Sequence, residues 1–152
     1  MAVTYENVFF NYVLDPLRDL CIAEYAYGNI YIAPSILHQV PFSIRIWGLS
    51  VEKSEYVVDA HARVYNVEIA LYMIEANPGE EFYKQFYNDG ERLHQLLFEN
   101  RATSTTVGST TLQWSDGSVN NMVINDLDDE EEAIEGLHSV KLDFSCNITA
   151  SV

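Results

Sequence analysis

Four histidines, His38, His61, His94 and His138, are the residues from which a metal or acid–base centre would most simply be built. Zinc sites place two ligands a few residues apart, so that one local turn of chain presents both to the same ion. Here no two histidines stand four apart, and none has a cysteine at ligand spacing. The acidic run over 126–135 invites a calcium reading, because Asp126, Asp128 and Glu130 alternate as EF-hand ligands do. That loop needs glycine at its sixth position and glutamate at its twelfth, where this chain has Glu131 and Leu137. The run therefore reads as a solvated, mobile charged loop. The glycines stand singly at turns, so no phosphate cradle is predicted either.

Cys21 falls on the apolar side of a helical pattern and Cys146 on the apolar side of a strand pattern. Both read as buried, reduced thiols rather than nucleophiles or a disulfide. Glu68 is the one carboxylate whose place in the pattern merits weighing as an acid or base. No second acid or histidine has a sequence reason to lie beside it, which favours a solvent- or interface-facing role. No catalytic residue, metal or cofactor is predicted. The chain has 10 tyrosines and 2 tryptophans, residues enriched where protein surfaces meet. Trp47, Glu68, Tyr72, Tyr83 and Tyr87 are the candidate interface residues.

The element that must position them is residues 63–75, RVYNVEIALYMIE. Tyr65, Val67, Ile69, Leu71 and Met73 form one apolar face at period two, while Asn66, Glu68, Ala70 and Tyr72 form a mixed face. That alternation predicts a long central strand with one core face. Before it, residues 4–27 carry Phe9, Tyr12, Val13, Leu17, Leu20 and Cys21 at helical spacing, interrupted at Asp15-Pro16 and stopped at Gly28-Asn29. Residues 41–51 alternate as a second strand, with residues 52–55 as an exposed turn and antiparallel pairing to the central strand. After the stop at Asn77-Pro78-Gly79, Asn88 and Glu91 have the spacing of a capping box. A helix is predicted from there, with a break near Gly90 and a short helix or loop before it. Ser115-Asp116-Gly117-Ser118 reads as a tight turn between strands over 110–114 and 119–125, and residues 137–149 alternate as a final strand.

Composition bounds the class. A chain of 152 residues with 48% apolar content predicts one globular domain over 1–152. No apolar run is long enough to span a membrane, and the first residues lack the pattern of a signal peptide, so a cytosolic chain is expected. There are 23 acids against 8 bases, a formal charge of -15. A polyanion of this kind disfavours binding to nucleic acid or to anionic membranes, because affinity for either rests largely on Lys and Arg. The fold class is α+β, a mainly antiparallel β-sheet with helices packed on one face.

The order of segments carries a resemblance. A helix (NVFFNYVLDPLRDL) leads to NIYIAP, then a strand opening on proline (PFSIRIWG) and a long strand (RVYNVEIALYMIEA). A helix (GERLHQLLFEN) and terminal strands ending in KLDFSCNIT follow. This order resembles the tail terminator, or tail-completion, proteins of tailed bacteriophages over nearly the whole chain. The aromatic stretch 80–87 and the acidic run 126–135 are not features of that pattern. The resemblance implies a structural virion protein assembled in the host cytoplasm. Six copies would form a hexameric ring that caps the tail tube protein and joins it to neck and head-completion proteins, with DNA passing through the lumen. Two alternatives stay open: a head–tail adaptor or other neck protein, and a small α+β ligand-binding or enzymatic domain with Glu68 and the tyrosines lining a cavity.

Overall fold

A computed structural model describes residues 2–26, 29–34, 40–57 and 60–151, with the backbone alone for 54–57, 60–61 and 150–151. The readings of Gly28 as a helix stop, of His38 as a candidate ligand and of Val58 as strand lie outside the described residues.

The central strand is β3 (Ala60–Ile74). It pairs antiparallel on one side with β2 (Phe42–Val57) and on the other with β7 (Leu137–Ser151). β1 (Asn29–Tyr31) adds in parallel to β2 at Ser43–Arg45, and β6 (Ser115–Ile124) closes the other side against β7. The sheet order is therefore β1-β2-β3-β7-β6. β4 (Ser104–Val107) and β5 (Thr110–Gln113) form a separate hairpin. The chain is α+β with a mainly antiparallel sheet.

One face of the sheet is buried under helices. Tyr65, Val67, Ile69 and Leu71 of β3 meet Ile44 and Ile46 of β2 and Val140, Leu142, Phe144 and Cys146 of β7 in one core cluster. Tyr12, Val13, Leu17 and Cys21 enter that cluster from the first helix, and Phe86, Leu93 and Leu97 from α2 (Glu80–Glu99). Each such side chain contributes roughly 1.5–3 kcal/mol by leaving water. A half-exposed ion pair such as Arg18–Asp15 contributes about 0–1 kcal/mol, so apolar burial dominates. Polar ties add orientation: Trp114 Nε1 donates to Tyr12 O at 2.7 Å, and Tyr25 Oη donates to Asp89 O at 2.8 Å. Arg92 reaches Glu24 at 2.6 Å, joining the two helices.

Several sequence expectations are corrected. The first helix does not begin at Thr4; residues 2–7 are irregular, and a π-helical turn (Phe10–Leu14) runs directly into α1 (Asp15–Glu24). Asp15 N–H bonds Phe10 O across the wider turn. The helix absorbs Pro16 by widening, without a cap and restart. Residues 52–55 are not a turn but part of β2, which accommodates them with register irregularities at 48–50 and 53–55. α2 is unbroken, and Gly90 is there because a Cβ would meet Val140 Cγ2 at 3.2 Å. Residues 115–118 are not a hairpin turn but the irregular start of β6, with Asp116 at φ 51°. The strand over 110–114 accordingly pairs with β4, not β6.

The largest correction concerns the acidic run. Asp128 Oδ1 accepts from Glu131 N at 2.8 Å and Glu131 Oε1 accepts from Asp128 N at 3.1 Å, a reciprocal cap on the short helix α3 (Asp129–Glu132). Leu127 and Ile134 pack on Ala70, Tyr72 and Leu137. The run is a docked strap on the second face of the sheet, bracketed by left-handed residues Asn125 (φ 55°) and Gly136 (φ 76°). Leu127 and Ile134, one at each end of it and inconspicuous against the charge, hold it down. Among the described residues no helix is long and apolar enough to cross a membrane.

Candidate functional site on the outer sheet face

Strand alternation sends every second side chain of β2, β3 and β7 away from the helices. The register sets them in rows. Trp47, Glu68, Asp143 and Asn120 form one row across β2, β3, β7 and β6. Ser50, Asn66, Ser145 and Ser118 form the next, stitched by Asn66 Nδ2 to Ser50 Oγ at 3.0 Å and Ser118 Oγ to Ser145 Oγ at 2.6 Å. Between them lies a trough of about 530 Å³ lined in part by Leu49, Ser50, Glu52, Asn66, Asn120 and Asp143.

On the other side of the Trp47 row stands the strap. Lys141 Nζ reaches Glu131 Oε1 at 2.9 Å, with side chains only 15% and 6% exposed. Glu131 Oε2 and Ser139 Oγ are buried without hydrogen-bond partners among the described residues. Tyr72 is 3% exposed beneath the strap; burial, followed by its contact with the Glu131 carboxylate, keeps its phenol protonated far above the usual range. Burial also raises the Glu68 carboxyl pKa; Lys141 opposes the rise, while Asp143, Glu131 and Asp126 reinforce it. Arg45, buried one row away, lies 4.2 Å above the Tyr31 ring.

The five candidate residues thus divide. Trp47, Glu68 and Tyr72 share the outer face, with Tyr72 covered by the strap. Tyr83 and Tyr87 lie on α2, across the sheet. Tyr83 packs edge-on to His138 at 5.6 Å between ring centroids, and Tyr87 is 47% exposed beside a slot of about 260 Å³ formed with Gly90, Glu91, Met122, Ile124 and Val140. His94 is half-buried on α2, and His138 is enclosed by Phe82, Tyr83 and Phe86. Cys21 and Cys146 are free and buried, and burial pushes both thiols up to about 12. Thiolate chemistry is suppressed at either position.

Sequence reasoning missed Asp143, Lys141 and Glu131. Asp143 and Lys141 alternate with Leu142 on β7, so their face was legible, but the pairing that sets them beside Glu68 is tertiary. Glu131 was hidden among equivalent acids. The chemistry of the trough is acceptor-rich: carboxylates, amides and hydroxyls from Glu52, Asp143, Asn66, Asn120, Ser50 and Ser145. No protein-family model matches the chain, and no curated protein sequence matches it.

Proposed function

We propose that the chain is a structural assembly protein of a tailed-phage virion, a tail terminator that forms a ring on the head-proximal end of the tail tube. The observation that carries the reading is the order of elements: helix, short β1, the long β2–β3 pair, α2, then terminal strands ending in β7. The protomer also has two unlike sheet edges. β2 has no strand partner beyond Arg45 on its β1 side among the described residues, and the other edge is the irregular β6. Unlike edges suit heterologous contacts, which close into a ring when the rotation is right. Its two faces differ as well, one clad in helices and the other acidic. A ring with different faces can match the last tube ring on one side and the neck on the other, and growth stops because the second side accepts no further tube subunit. A formal charge of -15 would keep passing DNA from adhering to the lumen.

The test is polymerisation of tail tube protein with and without the chain. The expected result is shorter tubes with density at one end only, and six-fold rings by negative-stain imaging. Tube lengths unchanged across a stoichiometric excess would remove the terminator reading and favour a head–tail adaptor.

A further inference from the structure

We propose that residues 3–5 of one copy dock on a second copy, lying along the outer edge of β6 with the Tyr5 ring seated in the slot between α2 and β6. The contact does not rest on the tail-terminator reading. It rests on two apolar features of one chain that its own fold leaves uncovered. Val3 and Tyr5 are each 78% exposed, in a segment, residues 2–7, that belongs to no helix or strand. Standing two apart, they share one face when the segment is extended. The slot, about 260 Å³, is walled by Tyr87, Met122, Ile124 and Val140, and Gly90 leaves its floor free of a side chain. Tyr87 is 47% and Ile124 42% exposed. β6 has no strand partner on its outer edge among the described residues.

The chemistry of the two features matches. Met122 and Ile124 pair with the core residues Leu142 and Val140, so they point to the helix side of the sheet. A segment added to that edge sends alternate side chains to the same side. A tyrosine there sets its ring against apolar walls and donates its hydroxyl to the Glu91 carboxylate at the rim. Charge allows the approach, although each copy carries -15. Residues 2–7 hold a single acid, Glu6, and exposed Lys84 on the same helical stripe offsets Glu91. Reach decides that the arm comes from another copy. Asn7 is fixed to the first turn, its O accepting from Asn11 N at 2.9 Å, which leaves Tyr5 two residues of reach. That is about 7 Å of backbone. Phe9 packs on Tyr65, which is six residues along β3 from Leu71, the partner of Val140. Six strand residues span about 20 Å, beyond the arm's own slot. One tyrosine buries about 150–250 Å², against roughly 1,200 Å² or more in a stable interface. The arm is therefore a latch on a larger head-to-tail contact, in which every copy gives one arm and receives one.

The test is cross-linking between two single-cysteine variants of the full chain with a short bismaleimide. Val3→Cys leaves Tyr5 in place, and Asn88→Cys lies on the exposed side of α2 beside Tyr87. Cys21 and Cys146 are buried and stay silent. In an equimolar mixture at about 0.15 M salt, where the Debye length is about 8 Å, a mixed product can form only between copies. Its yield is expected to exceed that of Val3→Cys with Glu132→Cys, on the opposite face, by about tenfold or more, because docking raises the local concentration. Adding Tyr5→Ser to the Val3→Cys copy should abolish the difference, and Tyr5→Phe should keep most of it. Equal yields at Asn88 and Glu132, a yield indifferent to Tyr5→Ser, or no mixed product would each overturn the contact. So would an intrachain cross-link in a Val3→Cys/Asn88→Cys chain at high dilution, which would place the arm on its own slot. Tube assays on the parent chain separate the two claims. Mixed product without tube shortening sinks the terminator reading alone, and tube shortening without mixed product sinks the arm contact alone.

Discussion

Glu68 is a carboxylate whose environment favours its proton. Burial acts first; Lys141 opposes it, and Asp143, Glu131 and Asp126 reinforce it. Its folded-state pKa therefore lies above the ordinary value of 4.5. The associated stability is fully present below that ordinary value and is lost as pH rises through the raised one. Glu68→Gln should consequently be more stable than the parent at about pH 7, with the gap closing on acidification. Urea midpoints across that range check this, and a gap that widens towards acid contradicts it. Ile69, fully buried at the centre of β3, makes the opposite case. Ile69→Asp would bury an unpaired charge at a cost of several kcal/mol, comparable with the stability of a whole domain. Soluble expression should be lost, and a normally folded variant would show the core face to be misassigned.

The strap is the element whose behaviour departs most from its composition. Reading residues 126–135 as a solvated loop implies that replacing them with a flexible linker changes little. The docked structure implies otherwise. Glu131→Ala would leave Lys141, 15% exposed, without its partner and should cost about 3 kcal/mol or more. Glu131→Leu with Lys141→Met removes both charges and should recover most of that loss, since buried pairs often exchange for apolar groups at little cost. Thermal melts of the single and double variants decide it. Equal melting of Glu131→Ala and the parent would return the strap to solvent. At its end, Gly136 has φ 76°, and a Cβ there would lie 2.6 Å from Glu75 O. The strap thus re-enters β7 through a turn that glycine alone fits well.

Across the whole molecule the acid surplus sets solution behaviour. A formal charge of -15 makes the compact state repel itself at low ionic strength. Raising salt from about 0.01 M to about 0.15 M shortens the Debye length from about 30 Å to about 8 Å, so the melting temperature should rise over that interval. A melting temperature that falls instead would show that attractive pairs such as Arg92–Glu24, at 2.6 Å, outweigh the net repulsion. The same screening should weaken any contact with a basic partner. Salt therefore separates folding from assembly: it strengthens the first and loosens the second.

By itself the sequence determined what periodicity and side-chain character can determine. Alternation in residues 63–75 and 137–149 specifies strands with one apolar face, because a one-residue slip would turn every core side chain to water. The fold class, the buried thiols at Cys21 and Cys146, and the placing of Trp47 and Glu68 on the second face follow from the same logic. Tertiary structure alone decided what depends on partners distant in sequence. Gly90 permits an unbroken helix because Val140 lies against it. The π-helical turn relieves Pro16 within a packed layer. Strand register brings Asp143 beside Glu68, and Lys141 turns one acid of the strap inward while its neighbours stay in solvent. Local spacing encodes which face a residue occupies; only the pairing of strands encodes which residue it meets there.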